Sequence, residues 1–345
     1  MTKTMNRRSF SRKALALPLL AGSPTFMAPH TKRILPKSLR PGDTVGFITP
    51  GSYISDESLD KAVSNMLQLG LKVKMGKNIR AKHGFVAGTD QQRLDDLHMM
   101  FSDRSVDAVW CARGGYGCTR LLPQIDYELI RKNPKILIGY SDITALLNAI
   151  YHKTGLVTFH GPVGASEFSG YTEAQVRAVL MEGAAPYPIP LSEGNEASDD
   201  PLYQPEVIRE GQAEGVLMGG NLSLLAAMAG TGYLPDPTGA IVFMEDVGEA
   251  PYRVDRMLTQ LRQAWPLKAA NGIALGVFAD CAKAEGSDSL TLSETLKEQL
   301  RPTSTPTAYG FPFGHIDHQC TFPVGVRARM NASERAIILL EAGVR

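Results

Sequence analysis

The sequence predicts an α/β protein whose first domain is a mostly parallel, doubly wound sheet and whose second is a separate α/β domain. Three observations carry this. Short apolar runs alternate with helix-like segments from Leu39 onward. The composition changes sharply near residue 166 and recovers near residue 211. A chain of 345 residues, 43% hydrophobic and 21% charged, is long and apolar enough for two domains of ordinary size.

The runs Val45-Gly46-Phe47-Ile48, Leu71–Met75, Val106–Cys111, Ile136–Ile138 and Val157-Thr158-Phe159 read as strands. Only Leu71–Met75 alternates strictly between apolar and polar residues, as a strand with one face towards solvent should. Each of the first four is followed by a turn-rich stretch and a helix-like segment. Behind Ser141, for example, Ile143, Leu146, Leu147, Ile150 and Tyr151 fall on one helical face. Strand–helix alternation of this kind places helices on both faces of a parallel sheet, giving a domain over residues 39–165. Gly, Pro, Ser, Glu and Asp dominate residues 166–210, which read as a solvated linker holding one helix, Glu173–Met181. The second domain, 211–345, has an apolar strand at Ala240–Met244. A helix with Val254, Met257, Leu258, Leu261 and Trp265 on one face follows, then a strand at Gly272–Phe278 and an acidic helix near Ser293–Leu300.

Charge is divided unevenly. Residues 1–42 carry nine basic side chains and no acidic one, which leaves 27 basic and 35 acidic in the remainder, a net of −8. A body that acidic is a poor partner for a phosphate backbone, so no nucleic acid is expected. Asn6-Arg7-Arg8-Ser9-Phe10-Ser11-Arg12-Lys13, the short apolar stretch Ala14–Ala21 and small residues at Ala21–Ser23 and Ala28 have the order of an export signal over residues 1–30. The arginine pair resembles a twin-arginine signal, which implies a periplasmic destination. No apolar run reaches about 18 residues, so no membrane insertion is expected. Four cysteines cannot staple a chain of this length; Cys111 and Cys118, which flank a glycine loop, are expected as buried thiols.

The sequence has no H-E-x-x-H, no paired C-x-x-C and no Walker A motif, so no metal or other cofactor is expected. His315-Ile316-Asp317-His318 puts two imidazoles close in sequence without a further ligand pattern. Three features at strand ends remain. Gly139-Tyr140-Ser141-Asp142 turns from the fourth strand into a helix, where a serine hydroxyl is exposed and the next amide points at a developing oxyanion. Capping the helix is the plainer role for that serine. Arg113-Gly114-Gly115-Tyr116-Gly117 follows the third strand; its backbone N–H groups can converge on an anion, with Arg113 free for a carboxylate. A tight turn is again the plainer role. Glu245 follows an apolar strand, and His315 follows Gly310-Phe311-Pro312-Phe313-Gly314. Serine, carboxylate and histidine, each at a strand end, make up the set that nucleophilic acyl transfer needs.

These blocks resemble the LD-carboxypeptidase family of serine peptidases, also called muramoyltetrapeptide carboxypeptidases. The resemblance runs from about Leu39 to the C-terminus. Besides the two loops above, its carriers are Leu39-Arg40-Pro41-Gly42-Asp43, Ala87-Gly88-Thr89, Gly219-Gly220-Asn221-Leu222, the block Met244–Arg256 and Phe313-Gly314-His315. It implies a flavodoxin-like N-terminal domain with a parallel sheet, a smaller strand-rich α/β C-terminal domain, a site between them and a homodimer. It also implies Ser141 as nucleophile, His315 as general base, Glu245 as the group orienting it, and the amides of Gly115 (or Gly114) and Asp142 as oxyanion hole. The implied reaction cuts the L,D-amide bond that releases terminal D-alanine from a murein tetrapeptide or muropeptide, with no metal. A branch of the family that hydrolyses microcin-type peptidyl-nucleotides departs at the glycine loop, whereas Arg113–Gly117 resembles the murein branch. Another amide substrate, or a periplasmic solute binder without turnover, is the rival expectation.

Overall fold

The computed structural model describes residues 32–345; the basic segment read as an export signal lies outside the described residues. The first sheet is built from β1 (Thr44–Ile48), β2 (Lys72–Met75), β3 (Ala108–Cys111), β4 (Ile136–Gly139) and β5 (Thr158–His160). All five are parallel and run in the order β2-β1-β3-β4-β5, the flavodoxin-like arrangement. Helices α1 (Asp56–Gln68), α2 (Asp90–Ser102), α3 (Tyr127–Lys132) and α4 (Thr144–Thr154) connect them. Strands β3 and β4 are buried along their whole length, which is why they read as unbroken apolar runs. At the sheet edge, β2 stays half open to solvent, and its alternating pattern follows from that position. The block Ala87-Gly88-Thr89 acquires a local role. Thr89 Oγ1 accepts from Gln92 N at 3.2 Å, and Gln92 Oε1 accepts from Thr89 N at 2.9 Å, a reciprocal cap that starts α2.

The chain continues through α5 (Gly170–Val176), a turn of π-helix (Arg177–Glu182), β6 (Tyr187–Ile189), α6 (Glu193–Glu196) and β7 (Glu206–Arg209). It then forms β8 (Gln212–Asn221), α7 (Leu222–Met228), β9 (Ile241–Glu245), α8 (Pro251–Ala264), β10 (Gly272–Val277) and α9 (Leu292–Leu300). It closes with β11 (Thr307–Gly314), β12 (Phe322–Val324), β13 (Arg327–Asn331) and β14 (Ala336–Leu339). The second sheet runs β6-β14-β13-β8-β9-β10-β11-β7, with a parallel centre, β8 to β11, between antiparallel flanks. Helix α8 buries Val254, Leu258 and Leu261, the face expected of it. Trp265 comes directly after the helix, buried, and its indole N–H donates to Pro235 O at 2.7 Å.

Three features differ from expectation. Strand β8 and helix α7 precede Ala240, where the sequence predicts no element; β8 is glycine-rich and exposed at its start, so it lacks a long apolar run. Residues 166–210 are not simply a linker, because β6 and β7 inside them form the two edges of the second sheet. Edge strands bury only some of their side chains, so their sequences stay polar and read as loop. The first sheet also takes a sixth strand from the C-terminal half: β12 pairs antiparallel with β5, setting Phe322 opposite His160. The four cysteines are free and buried. Among the described residues no helix is long and apolar enough to cross a membrane.

Candidate active site

Open α/β sheets present their ligands at the carboxyl ends of the strands, where the order reverses. Here that point lies between β1 and β3, and the loops after β1, β3 and β4 meet there. Ser141 follows β4 by two residues and opens a single 3₁₀ turn, Ser141–Ile143, that feeds α4. Its φ is +62°, in the left-handed region, which costs a non-glycine residue about 1–3 kcal/mol and persists only when its surroundings enforce it. The glycine loop supplies one wall. A Cβ on Gly114 would stand 3.1 Å from Ser141 Cβ and 3.5 Å from its Oγ, so the loop backbone lies directly against the serine.

The loop itself is fixed from several sides. Gly114 O accepts from Ser52 N at 3.0 Å, and Ser52 Oγ accepts from Tyr116 N at 3.1 Å. Asp142, buried beside the serine, accepts from Cys118 N at 2.9 Å and thereby ties the elbow to the far end of the loop. Buried Arg93 donates to Gly117 O at 3.0 Å. The N–H groups of Gly115 and Asp142 carry no hydrogen bond among the described residues. Arg113 lies exposed and donates to Tyr53 O at 2.8 Å, so part of its guanidinium braces the loop after β1.

The second sheet contributes a charged pair. Glu245 ends β9 with no solvent exposure, and His315 follows the last residue of β11. The imidazole Nδ1–H donates to Glu245 Oε2 at 2.8 Å, which leaves Nε2 as the basic nitrogen. Burial alone pushes Glu245 up, yet the adjoining His315 brings it below its ordinary value. Burial likewise drives His315 down, and the charge of Glu245 more than reverses this, holding it above the ordinary histidine value. Neighbouring Asp246 is pushed up to about 6 by burial and by the charge of Glu245. It is nonetheless well solvated by protein, accepting from Ser223 N, Ser223 Oγ, Asn221 Nδ2 and Val247 N at 2.8–2.9 Å.

Two contacts join the segment that carries the serine to the sheet that carries the pair. The Tyr140 ring, one residue before Ser141, meets the His315 ring edge-to-face at a centroid distance of 4.9 Å. Asn221 N donates to Thr144 Oγ1 at 2.9 Å, joining the start of α4 to β8, where Asn221 pairs with Glu245. No Ser141–His315 hydrogen bond forms among the described residues, and such bonds are often long before substrate binds. Neither Tyr140 nor Asp246 stood out in the sequence as part of the site. An aromatic beside a nucleophile reads as core, and a second carboxylate reads as a solvated strand end. His318 is occupied elsewhere, its Nδ1 lying 2.9 Å from Ser169 Oγ, and among the described residues no cluster could hold a metal ion. A cavity of about 370 Å³ between β7, β11 and α9, lined by Leu202, Leu296 and Tyr309, contains none of these groups.

A doubly wound domain with a strained serine after β4, and a second sheet that ends in a buried carboxylate–imidazole pair, are joined through Tyr140 and Thr144. Residues 45–161 match the LD-carboxypeptidase N-terminal domain, and residues 214–330 match the LD-carboxypeptidase C-terminal domain. The chain is 42% identical over 314 residues to a probable murein peptide carboxypeptidase of Bacillus subtilis (strain 168), covering 90% of this chain and 95% of that protein. It is 37% identical over 291 residues to the murein tetrapeptide carboxypeptidase of Pseudomonas aeruginosa, covering 82% and 92% respectively. Among solved structures, MccF in complex with glutamyl sulfamoyl guanosine superposes with a TM-score of 0.80 at 27% identity, covering 90% of this chain and 99% of that one. The chain belongs to the LD-carboxypeptidase family and is a peptidase.

Proposed function

We propose that this peptidase is a metal-independent serine carboxypeptidase that removes the terminal D-alanine from murein tetrapeptide stems. The observation that carries the reading is the Glu245–His315 hydrogen bond at 2.8 Å, with Tyr140 packing its imidazole against the residue that precedes Ser141. A serine hydroxyl is a poor nucleophile at neutral pH unless a base takes its proton during attack. In the proposed reaction Ser141 Oγ attacks the carbonyl before D-alanine as Nε2 of His315 takes the proton. The N–H groups of Gly115 and Asp142 stabilise the oxyanion. His315 then gives the proton to the departing amine, and water, deprotonated by the same nitrogen, releases the peptide from Ser141. Arg113, exposed at the loop's edge, is the proposed anchor for the substrate carboxylate. The names of the relatives support a murein peptide as substrate, and the basic leader supports export to the periplasm.

Incubation with a defined murein tetrapeptide, followed by mass analysis, should show loss of alanine. Ser141→Ala and His315→Ala should each lower turnover by about 10⁴–10⁶ fold, and Glu245→Gln somewhat less. Near-normal alanine release by Ser141→Ala would sink the scheme. The MccF superposition supports a second reading, hydrolysis of a peptidyl-nucleotide, and the same assay with an aminoacyl sulfamoyl nucleoside separates the two. Labelling of Ser141 by a fluorophosphonate would exclude a solute binder without turnover, in which no serine is activated.

A further inference from the structure

Behind the Glu245–His315 pair lies a second imidazole that the reaction above does not use. His160 ends β5, is 1% exposed, and has no protein partner on either ring nitrogen. Three rings pack around it: Phe243 at a centroid distance of 5.2 Å, and Tyr140 and Phe313 each at 6.2 Å. Each of these is one or two residues from a member of the proposed trio. Tyr140 precedes Ser141, and the other two sit two positions before Glu245 and His315. Side chains two apart on a strand project to the same face, so His160 packs on the side of the second sheet from which Glu245 projects.

Glu245 has a matching deficiency. Its Oε2 accepts from His315, while Oε1 is buried with no partner at hydrogen-bond distance; the Asn221 amide, which helps to lower Glu245, donates to Asp246 Oδ1 at 2.9 Å instead. Leaving a buried acceptor unpaired is costly, more so when it is charged, and a buried imidazole with two idle nitrogens is similarly unfavourable. Burial holds His160 neutral, at about 4, so one nitrogen carries a proton and the other accepts. The titratable groups around the pair are Asp246, Tyr140, the buried Cys281 thiol, which accepts from Glu249 N, and His160 itself, and of these His160 is the idle, buried N–H donor. We propose that His160 is a positioning residue: through one buried water its N–H donates to Glu245 Oε1, fixing the carboxylate so that Oε2 faces His315. A buried water needs two to four polar partners. Thr321 Oγ1, buried without a partner and 2.9 Å from where a Cβ on Gly161 would stand, supplies another beside His160.

This inference rests on the assignment of Glu245 and His315 as a catalytic pair, so its test needs a readout that does not depend on turnover. The readout is the titration midpoint of the His315 ring, followed by NMR in a Ser141→Ala background. His160→Phe keeps an aromatic ring in the cage and removes the N–H. Losing a donor to the anion makes a proton on the pair easier to add, wherever it resides, so the midpoint should rise by about half to one pH unit. With Ser141 restored, kcat should fall about tenfold with KM within about twofold, and whichever of His160→Asn or His160→Gln reaches the water should recover both values. A packing role predicts the opposite order, with Phe the best substitute and the midpoint unmoved, and that result would overturn the proposal. If His160→Phe cannot be isolated, the two amide variants decide: one must keep the midpoint and the other must raise it, and equal midpoints refute the idea. Should Ser141→Ala still release alanine, the reaction assigned above fails, while the NMR midpoint still reports on His160.

Discussion

At the scale of single residues, the pair that does the proposed chemistry also dictates a pH response. The general base must be neutral, and Glu245 holds His315 above the ordinary histidine value of 6.5. Activity should therefore rise with pH along an acidic limb whose midpoint lies above 6.5, measurable as kcat/KM for alanine release. A midpoint at or below 6.5 would mean that the ion pair does not govern the limb. Stability runs the other way. The folded value of His315 exceeds its unfolded one, so the pair's contribution is complete below about 6.5 and is lost as pH rises through the raised value. Glu245 is depressed, so its share is present above its ordinary 4.5 and is lost as pH falls through the lowered value. His160, held at about 4, opposes folding at low pH because the unfolded ring accepts a proton first. Ser141, Glu245 and His315 were legible as candidates only as a set, a serine, a carboxylate and a histidine near strand ends within blocks that resemble a known family. His160 was not, since a histidine closing an apolar run reads as an ordinary strand end until its unpaired nitrogens are seen.

Among the elements, the join between α4 and β8 is the critical one. Thr144, the first residue of α4, accepts from Asn221 N, and Asn148 one turn on donates to Gly219 O at 2.8 Å. The approach is so close that a Cβ on Gly220 would stand 2.4 Å from Thr144 Oγ1, and its φ of +136° disfavours any side chain. Gly220→Ala should thus shift the start of α4, and with it Ser141, relative to the Glu245–His315 pair. A displacement of about 1 Å in a catalytic arrangement costs on the order of 10²-fold, so turnover should drop by that factor while substrate affinity changes little. Wild-type turnover in Gly220→Ala would show that the α4–β8 contact does not set the serine's position. Buried strands such as β3, β4, β9 and β10 could be read from sequence because both of their faces are covered. Strands β6 and β7 could not, because an edge strand with half its side chains in solvent has the composition of a loop. Nor could the transfer of β12 to the first sheet be read, since periodicity reports that a segment is a strand without naming its partner.

For the molecule as a whole, the proposed site is divided between two sheets, so its geometry depends on how firmly they are interlocked. Strand β12 crosses from the C-terminal half to pair with β5, and Phe322 on it packs against Phe243 at 5.1 Å and Phe313 at 4.9 Å, rings from the second sheet. The ends of the described chain close on each other as well, with Ser38 N donating to Arg345 O at 3.1 Å and Arg345 N to Pro36 O at 3.0 Å. Shared strands and shared core make independent unfolding of the halves unfavourable, because either one opening exposes apolar surface of the other. The two tryptophans, Trp110 in β3 and Trp265 after α8, report one on each half. In Trp110→Phe and Trp265→Phe variants, the remaining indole should therefore show the same urea midpoint. Phe322→Ala, which removes a fully buried ring at the seam, should cost about 3–5 kcal/mol and lower both midpoints together. If Phe322→Ala moved only the Trp110 midpoint, or if the two variants melted apart from the start, the halves would be separate folding units, and the alignment of Ser141 with His315 would need another source than the seam through β12.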